Sequence, residues 1–545
     1  MTIGVTRIAT IASLSGLFSS SLLAAQWTER TVETVRTSDV QVLTSGPVHE
    51  AFAETVVFDP EPDLVVLQPP PGPLDEAPPD QVPDGPNMTW IPGYWAWDDD
   101  RDDYLWVSGI WRSVPPGRSY VPGFWTRVGH GNQWSSGFWI DADASEIEYL
   151  PEPPEVVESG PPPAAPSPNL IWTPGTWVWD QERYGWRPGH WVEASPDWVW
   201  IPAHYIWGPR GYVFVDGYWD YPVEQRGVLF APVYVSPVMR TSRTFVYAPA
   251  TVIDLDFFTD HLFVRPRYRH YYFGDYYATG YVDKGFYPWY SVQARRVGYD
   301  PIYAHRRWRH RDEPDWERRI EASFHRRRDN ERERPPRTLA LQLTLGGDRA
   351  EATVKGLFVA KTLQQMAQSN NDRTRFRSVD RSERDVIVQK ARAATKSRED
   401  RKAVESRETD ASAEPVKRTT PVREKLPPAS VSARKDSPAS KAPAPKAPEV
   451  SKVDRSVEPK PKQKVERVTR QPGSPNQPSP RPSPSPRPET KSDKDKPDSK
   501  ESSKDRSPDT AKSKPPENDK EKGKDKDDEA RSKSKKKDKD KDKDD

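Results

Sequence analysis

WIPGYW at Trp90, WVSGIW at Trp106, YVPGFW at Tyr120 and WSSGFW at Trp134 are four spellings of one phrase, aromatic-x-x-Gly-x-aromatic. After a break it resumes as WTPGTW at Trp172, WRPGHW at Trp186, WIPAHY at Trp200 and FVDGYW at Phe214. The copies start 16, 14 and 14 residues apart in the first array and 14 apart throughout the second. The candidate functional positions are therefore the aromatic and glycine positions of the phrase. In the first array these are Trp90, Gly93, Trp95, Trp106, Gly109, Trp111, Tyr120, Gly123, Trp125, Trp134, Gly137 and Trp139. In the second they are Trp172, Gly175, Trp177, Trp186, Gly189, Trp191, Trp200, Tyr205, Phe214, Gly217 and Trp219. A unit this short buries no core alone, so the copies must pair or stack.

The natural period is a double unit of about 28 residues. Odd copies carry Pro before the small residue (Pro92-Gly93, Pro122-Gly123, Pro174-Gly175, Pro202-Ala203); even copies mostly lack it, Pro188 excepted. The first odd copy of each array runs into a polar connection, WAWDDDRDDYLW or WVWDQERYGW. This alternation predicts an antiparallel β-meander, one strand and one turn per copy. Pro cannot donate to a ladder and Gly after Pro favours positive φ, so Pro-Gly is expected to be a bulge. One extra residue there would bring aromatics five apart onto one face. The predicted fold class is a mainly β repeat protein: short antiparallel meander arrays rich in Trp and Tyr, then a few helices and a long disordered tail. A sheet with one apolar face is marginal alone, so the arrays should pack on each other or on the aromatic region downstream of them.

The chain has 545 residues with 60 Pro and 30% charged residues, and its mean hydropathy is −0.92. Residues 1–25 show a basic residue (Arg7), an apolar run Ile8–Leu23 and small Ala24-Ala25, the grammar of a secretory signal peptide. That run is too short for a bilayer span, which needs ~20 residues, and no transmembrane span is expected in the mature chain. The expected localisation is exported, in the periplasm or at the cell surface. Residues 26–87 read as a Pro-rich linker, 88–140 as the first array and 141–170 as a second Pro-rich linker. The second array follows at 171–235, an aromatic and Arg-rich cap at 236–313, and helical segments at 314–410. Within the last, a helix from Pro314 carries Trp316, Ile320 and Phe324 at helical spacing, with Asp312 or Glu313 as cap. Leu339, Leu341, Leu343 and Leu345 alternate as in a strand. Further helices are expected over Asp348–Gln368 and Arg381–Glu408, the latter charge-laced. Residues 411–545, nearly devoid of aromatic and branched apolar side chains, read as disordered.

Formal net charge is +1, from 83 basic and 82 acidic residues, which argues against a chain that coats nucleic acid. With no cysteine there is no thiol nucleophile, thiolate metal site or disulfide. The phrase resembles the YXWGXW (WXXGXW) repeat family of exported, chiefly planctomycete, bacterial proteins, over about Trp90 to Trp219. Ala203 in place of Gly and Phe214 in place of the first aromatic depart from its pattern. The resemblance implies export and repeat architecture, and no activity.

Repeated Trp can stack on sugar rings, but two aromatics from every copy fit the core laminate of small sheets better. Asp98, Asp100 and Asp102 suggest a calcium loop, yet Asp103 and Gly109 stand where Gly and Glu belong, so a polar turn is the better reading. His305 and His310 lie in a cationic run, AHRRWRHR, which disfavours a metal; His190 and His204 occupy equivalent places one repeat apart. Arg306, Arg307, Arg309, Arg311 and Arg326–Arg328 are expected to pair with Glu313, Glu317, Glu321 and Glu331 rather than to bind nucleic acid. No nucleophile elbow, zinc-protease, P-loop or dinucleotide motif occurs. The expectation is an exported, non-enzymatic structural or interaction protein of the bacterial cell envelope, with a polymer or protein partner and no cofactor or metal. The alternative is glycan or peptidoglycan binding through exposed Trp faces.

Overall fold

Each pair of copies folds as one hairpin rather than as two steps of a meander. The computed structural model describes residues 39–157, 164–345, 356–368, 375–406, 418–425, 431–432, 445–449 and 451–460. In the first hairpin Met88–Ile91 pairs with Ile110–Ser113, and inside it Tyr94–Asp98 pairs with Asp103–Val107. The second (118–141), third (170–193) and fourth (199–220) hairpins repeat this nesting. The polar connections are their tips; in the third, Gln181 and Glu182 both take positive φ in a two-residue turn.

The expected one-residue bulge is also corrected. Ile91 faces Ile110 and Tyr94 faces Val107, so Pro92-Gly93 and Ser108-Gly109 interrupt both strands by the same two residues. The result is a notch at which the hairpin passes from one sheet to another. Proline on one arm lacks a donor, and the facing arm gives up its ladder bonds at the same level.

Outer hairpin edges take further strands. Val233 pairs with Trp106, Val65-Val66 with Asn132-Gln133, and Tyr149-Leu150 with Tyr212-Val213. The first, second and fourth hairpins share one core through Ile91, Ile110, Val121, Phe138, Ile201 and Val213, together with Leu262–Arg265 and His270–Phe273 of the cap.

Part of the expected N-terminal linker lies in that core. Val48, Ala51 and Phe52 are fully buried, and Val48 N–H donates to Tyr271 O at 2.7 Å. Pro-rich sequence begins only after this segment, and the apolar residues of VHEAFAETVVF (48–58) outweigh their neighbours.

The expected helix runs Trp316–Asp329, with Trp316 and Phe324 buried and Asp315, not Asp312 or Glu313, at its N-cap. A helix at Pro301–Arg309, capped by Asp300 on Tyr303 N–H, falls inside the region read as cap. Leu339–Leu345 is a helix, not a strand: Leu341, Leu343 and Leu345 are exposed, while Gln342 is buried and exchanges both amide bonds with Ala360. Residues 360–362, expected to be helical, form a strand on Thr251–Ile253; helix resumes at Leu363–Gln368, and 346–355 lie outside the described residues.

Arg381–Glu405 is helical and packs on the first two hairpins. The expected disordered tail is described over four stretches. Val422–Lys425 adds a strand to Glu146–Leu150, Val431 accepts from Tyr120 N–H, and Asp454 pairs with Trp186. Residues 461–545 lie outside the described residues, as do 1–38 and the signal peptide expected there. No helix among the described residues is long and apolar enough to cross a membrane.

Candidate functional site

Nesting sets the first aromatic of each odd copy against the last aromatic of the next copy, and the two inner aromatics against each other. All eight such pairs form. Ring centroids lie 5.3 Å apart for Trp90–Trp111, 5.1 Å for Trp95–Trp106, Tyr120–Trp139 and Trp172–Trp191, and 5.6 Å for Trp125–Trp134. Trp177–Trp186 and Tyr205–Phe214 are at 5.2 Å and Trp200–Trp219 at 5.0 Å. Such pairs contribute about 1 kcal/mol each beyond their burial. No described tryptophan is exposed; Trp172 and Trp191, on the third hairpin, are half-buried.

The rings fold over the notch, and that is the reason for glycine. A Cβ on Gly93 would lie 2.7 Å from Trp106 Nε1, and one on Gly123 2.5 Å from Trp134 Cζ2. On Gly109 and Gly217 it would run into Trp90 and Trp200, and on Gly137 into the Tyr120 hydroxyl. None of these five glycines has positive φ, contrary to the expectation for Gly93 and Gly123, which follow Pro. They are small because an aromatic covers them. The two departures from the pattern belong together on this view: Ala203 stands on the arm whose inner partner ring is Phe214, smaller than an indole. Gly217→Ala is expected to cost about 2 kcal/mol by overpacking. Trp200→Phe in the same chain should recover about 1 kcal/mol of that in a double-mutant cycle read by urea unfolding, since Trp200 Nε1 has no hydrogen-bond partner among the described residues to lose.

The notches of the first, second and fourth hairpins hold a carboxylate on their amide side. Glu76 accepts from Gly93 N–H and Gly109 N–H, both at 2.8 Å, and from Trp106 Nε1 at 3.0 Å. Glu50 accepts from Tyr120 Oη at 2.8 Å, Gly123 N–H at 3.2 Å and Trp134 Nε1 at 3.2 Å. In the fourth hairpin Gly217 N–H donates to the neighbouring, exposed Asp216 at 2.9 Å. Burial pushes the Glu76 carboxyl up from its ordinary value, and the three donors oppose that push.

Guanidinium groups close the carbonyl side. Arg398 donates to Gly93 O at 3.0 Å, Arg401 to Pro122 O at 2.8 Å and Ser136 O at 3.0 Å, and Arg118 to Gly217 O at 2.9 Å. Arg398 and Arg401 sit three apart on the 381–405 helix, which thereby bridges two notches. Glycine supplies approach, the facing indole a donor, and a distant acid and base the charges. The arrangement recognises a carboxylate on one side and a guanidinium on the other.

Beneath the hairpins a buried ion triad joins distant parts of the chain. Arg112 Nη2 lies 2.6 and 2.7 Å from the two Asp220 oxygens, and Arg226 Nη2 lies 3.0 Å from Asp220 Oδ2. The two guanidinium groups also donate to Ala51 O and Phe52 O, at 2.9 Å each.

The other sequence candidates go elsewhere. Four of the five carboxylates in the Asp98–Asp103 turn pair with cations, Asp98 with Arg101, Asp99 with Arg265, Asp100 with Lys284 and Arg337, and Asp103 with Arg240, while Asp102 is exposed. His305 is buried on Ser195 O, while His310 pairs with Glu313 and stacks on Trp316. His204 meets Glu54 and lies opposite Val215; His190 lies opposite Thr173, so the two do not face each other. Of the basic candidates only Arg307 takes an expected partner among the described residues, Glu317; Arg306 pairs with Glu224, Arg326 with Glu333 and Arg328 with Asp329, while Glu313 and Glu331 take Arg319 and Arg334. Glu50, Glu76, Arg398 and Arg401 were not flagged by any sequence pattern.

His49 gives the core a pH dependence. Its Nδ1 accepts from Ala51 N–H at 3.1 Å and its Nε2 bonds Pro92 O at 3.3 Å, which fixes a neutral tautomer. Burial pulls its pKa down to about 3. The unfolded chain, with an ordinary imidazole, binds the proton first, so this contribution is complete above about pH 7 and lost as pH falls through 6.5 toward 3. Between pH 7.5 and 5 the loss is about 2 kcal/mol. His49→Asn should be less stable at pH 7.5 and show a pH 7.5-to-5 decline smaller by that amount in urea melts.

The match to known proteins follows the same geometry. The family model for the WXXGXW repeat (2 copies) matches residues 85–112, 170–192 and 196–219. The chain is a WXXGXW repeat protein. The three matched stretches fall on the first, third and fourth hairpins; the second, opened by Tyr120 instead of Trp, lies outside the match yet has the same nested pairs. No curated protein and no solved structure matches the chain.

Proposed function

We propose that this WXXGXW protein is an exported, non-enzymatic structural or interaction protein of a bacterial cell envelope. The observation that carries the reading is the fate of the repeat: its aromatic residues are spent on eight cross-strand pairs and its glycines on making room for them. The product of the repeat is a scaffold whose edges accept extended segments. The signal-like residues 1–25 and the absence of cysteine support export. The partner is an envelope polymer or protein, not nucleic acid.

A second reading, glycan or peptidoglycan binding, is favoured by one feature, the half-buried Trp172–Trp191 pair. Cell fractionation and acrylamide quenching of Trp fluorescence separate the readings. The scaffold reading expects envelope or periplasmic recovery, blue-shifted emission and little quenching, unchanged by peptidoglycan. Cytosolic recovery sinks the envelope assignment. Quenching that glycans suppress, and that Trp172→Ala abolishes, establishes the second reading instead.

A further inference from the structure

The third hairpin differs from the others at one residue of its returning strand. The position just before the inner aromatic of the returning strand is Leu105 in the first hairpin, Gln133 in the second and Val213 in the fourth; in the third it is Gly185. The edges of the other three are covered by strands with well-buried residues, Val233, Val66 and Tyr149. At Gly185 the missing side chain leaves a dent, and Val453 of the tail fills it: a Cβ on Gly185 would collide with Val453 Cγ1. Next to it Trp186 N–H donates to Asp454 O at 3.1 Å and Asp454 N–H donates to Trp186 O at 2.6 Å. Arg455 then pairs with Asp180 at the hairpin tip. This is strand addition to a sheet edge: main-chain bonds supply attraction, one side-chain dent and one ion pair supply selectivity.

The docked segment is held lightly. Val453 is half-buried, and Lys452, Asp454, Arg455 and Ser456 are exposed. The tail also spells the docked sequence twice, as Lys452-Val453-Asp454-Arg455 and again as Lys464-Val465-Glu466-Arg467. One chain thus carries two K-V-acid-R ligands and one Gly185 dent.

We propose that the outer edge of Arg183–Arg187 is a docking site for K-V-acid-R segments, and that its partner in trans is the tail of a second copy of this chain. The segment at 452–455 occupies the edge in cis and competes with the incoming tail, so linkage between copies grows where the protein is concentrated. The inference rests on the reading of the repeat array as an interaction scaffold and names its partner.

The test uses the full chain and a labelled peptide of residues 461–470 (PKQKVERVTR). Val453→Asp empties the edge in cis; the peptide is expected to bind that variant about tenfold more tightly than the unaltered chain, because the competent fraction rises. Adding Gly185→Leu, the side chain native to the first hairpin, should abolish binding while near-UV circular dichroism keeps the Trp signal. A Val465→Asp peptide should not bind either. Sedimentation of the unaltered chain should show concentration-dependent association that Gly185→Leu removes. Absence of peptide binding to the Val453→Asp chain, or binding that survives Gly185→Leu, overturns the docking site. Association that persists unchanged in Gly185→Leu, or a chain monomeric at every concentration, overturns the second copy as partner. Cytosolic recovery in fractionation would sink the envelope reading and leave these binding results untouched.

Discussion

Asp220→Ala is expected to cost at least about 4 kcal/mol, the largest effect of any single substitution in this core. Asp220 is 2% exposed and is the carboxylate that pairs with both Arg112 and Arg226, at 0% and 1%. Its removal leaves two buried guanidinium groups facing each other with no anion between them. They cannot escape by losing a proton near neutral pH, because guanidinium stays charged. Nor can they swing to water, since Arg112 Nε and Arg226 Nη1 are tied to Ala51 O and Phe52 O in the centre of the fold. Arg226→Met in the Asp220→Ala background halves the stranded charge. That double variant should be less destabilised than the sum of the singles by about 2 kcal/mol, read from urea midpoints at pH 7.5. Simple additivity would mean that the triad is not electrostatically coupled.

Glu50→Ala comes next, at about 4 kcal/mol, because it strips three buried donors of their acceptor at once. Tyr120 Oη, Gly123 N–H and Trp134 Nε1 are closed over by their own hairpin, and water does not replace the lost oxygens without opening the aromatic pairs. Glu50→Gln keeps one oxygen for Tyr120 and Gly123 but turns an amide donor toward the Trp134 indole, itself a donor. Its cost should fall near 2 kcal/mol. Asp216→Ala provides the contrast: its side chain is 58% exposed, and water can satisfy Gly217 N–H, so the loss should stay below about 1 kcal/mol. Near-UV circular dichroism of the Trp pairs during urea unfolding reports all three. Equal costs for Glu50→Gln and Asp216→Ala would remove the notch carboxylate from the account of stability.

The polar turns and the two-fold alternation of the copies were legible because they are local. Trp, Pro and Gly recur at fixed offsets, which states that the copies are equivalent but not which ring meets which. The order of pairing was not legible, because a 14-residue step serves a meander and a nested hairpin equally well. The notch decided it: two unpaired residues on each arm at one level are possible only if the arms face each other. Glycine was read as a conformational need and is a spatial one, since its neighbour in the notch is an indole from the opposite arm. Leu339–Leu345 misled for a related reason. Alternating leucines suit a strand, but the side chain that gained a buried partner was Gln342.

Glu50 and Glu76 mark the limit of sequence reading at the site. They reach glycines 73 and 17 residues away, from a segment that reads as linker and carries no repeat pattern of its own. Arg398 and Arg401 come from 305 and 265 residues downstream, out of a helix whose charges looked solvated. By itself the sequence determined the eight-copy repeat and its short antiparallel strands rich in aromatics, because the spacing of rings and of chain-breaking Pro-Gly acts over a few residues. Only the tertiary structure decided which acid and base fill each notch and which tail segment meets Gly185. The physical reason is that an orphaned N–H or C=O asks only for charge and reach, and any distant residue that the folded chain brings near can supply both.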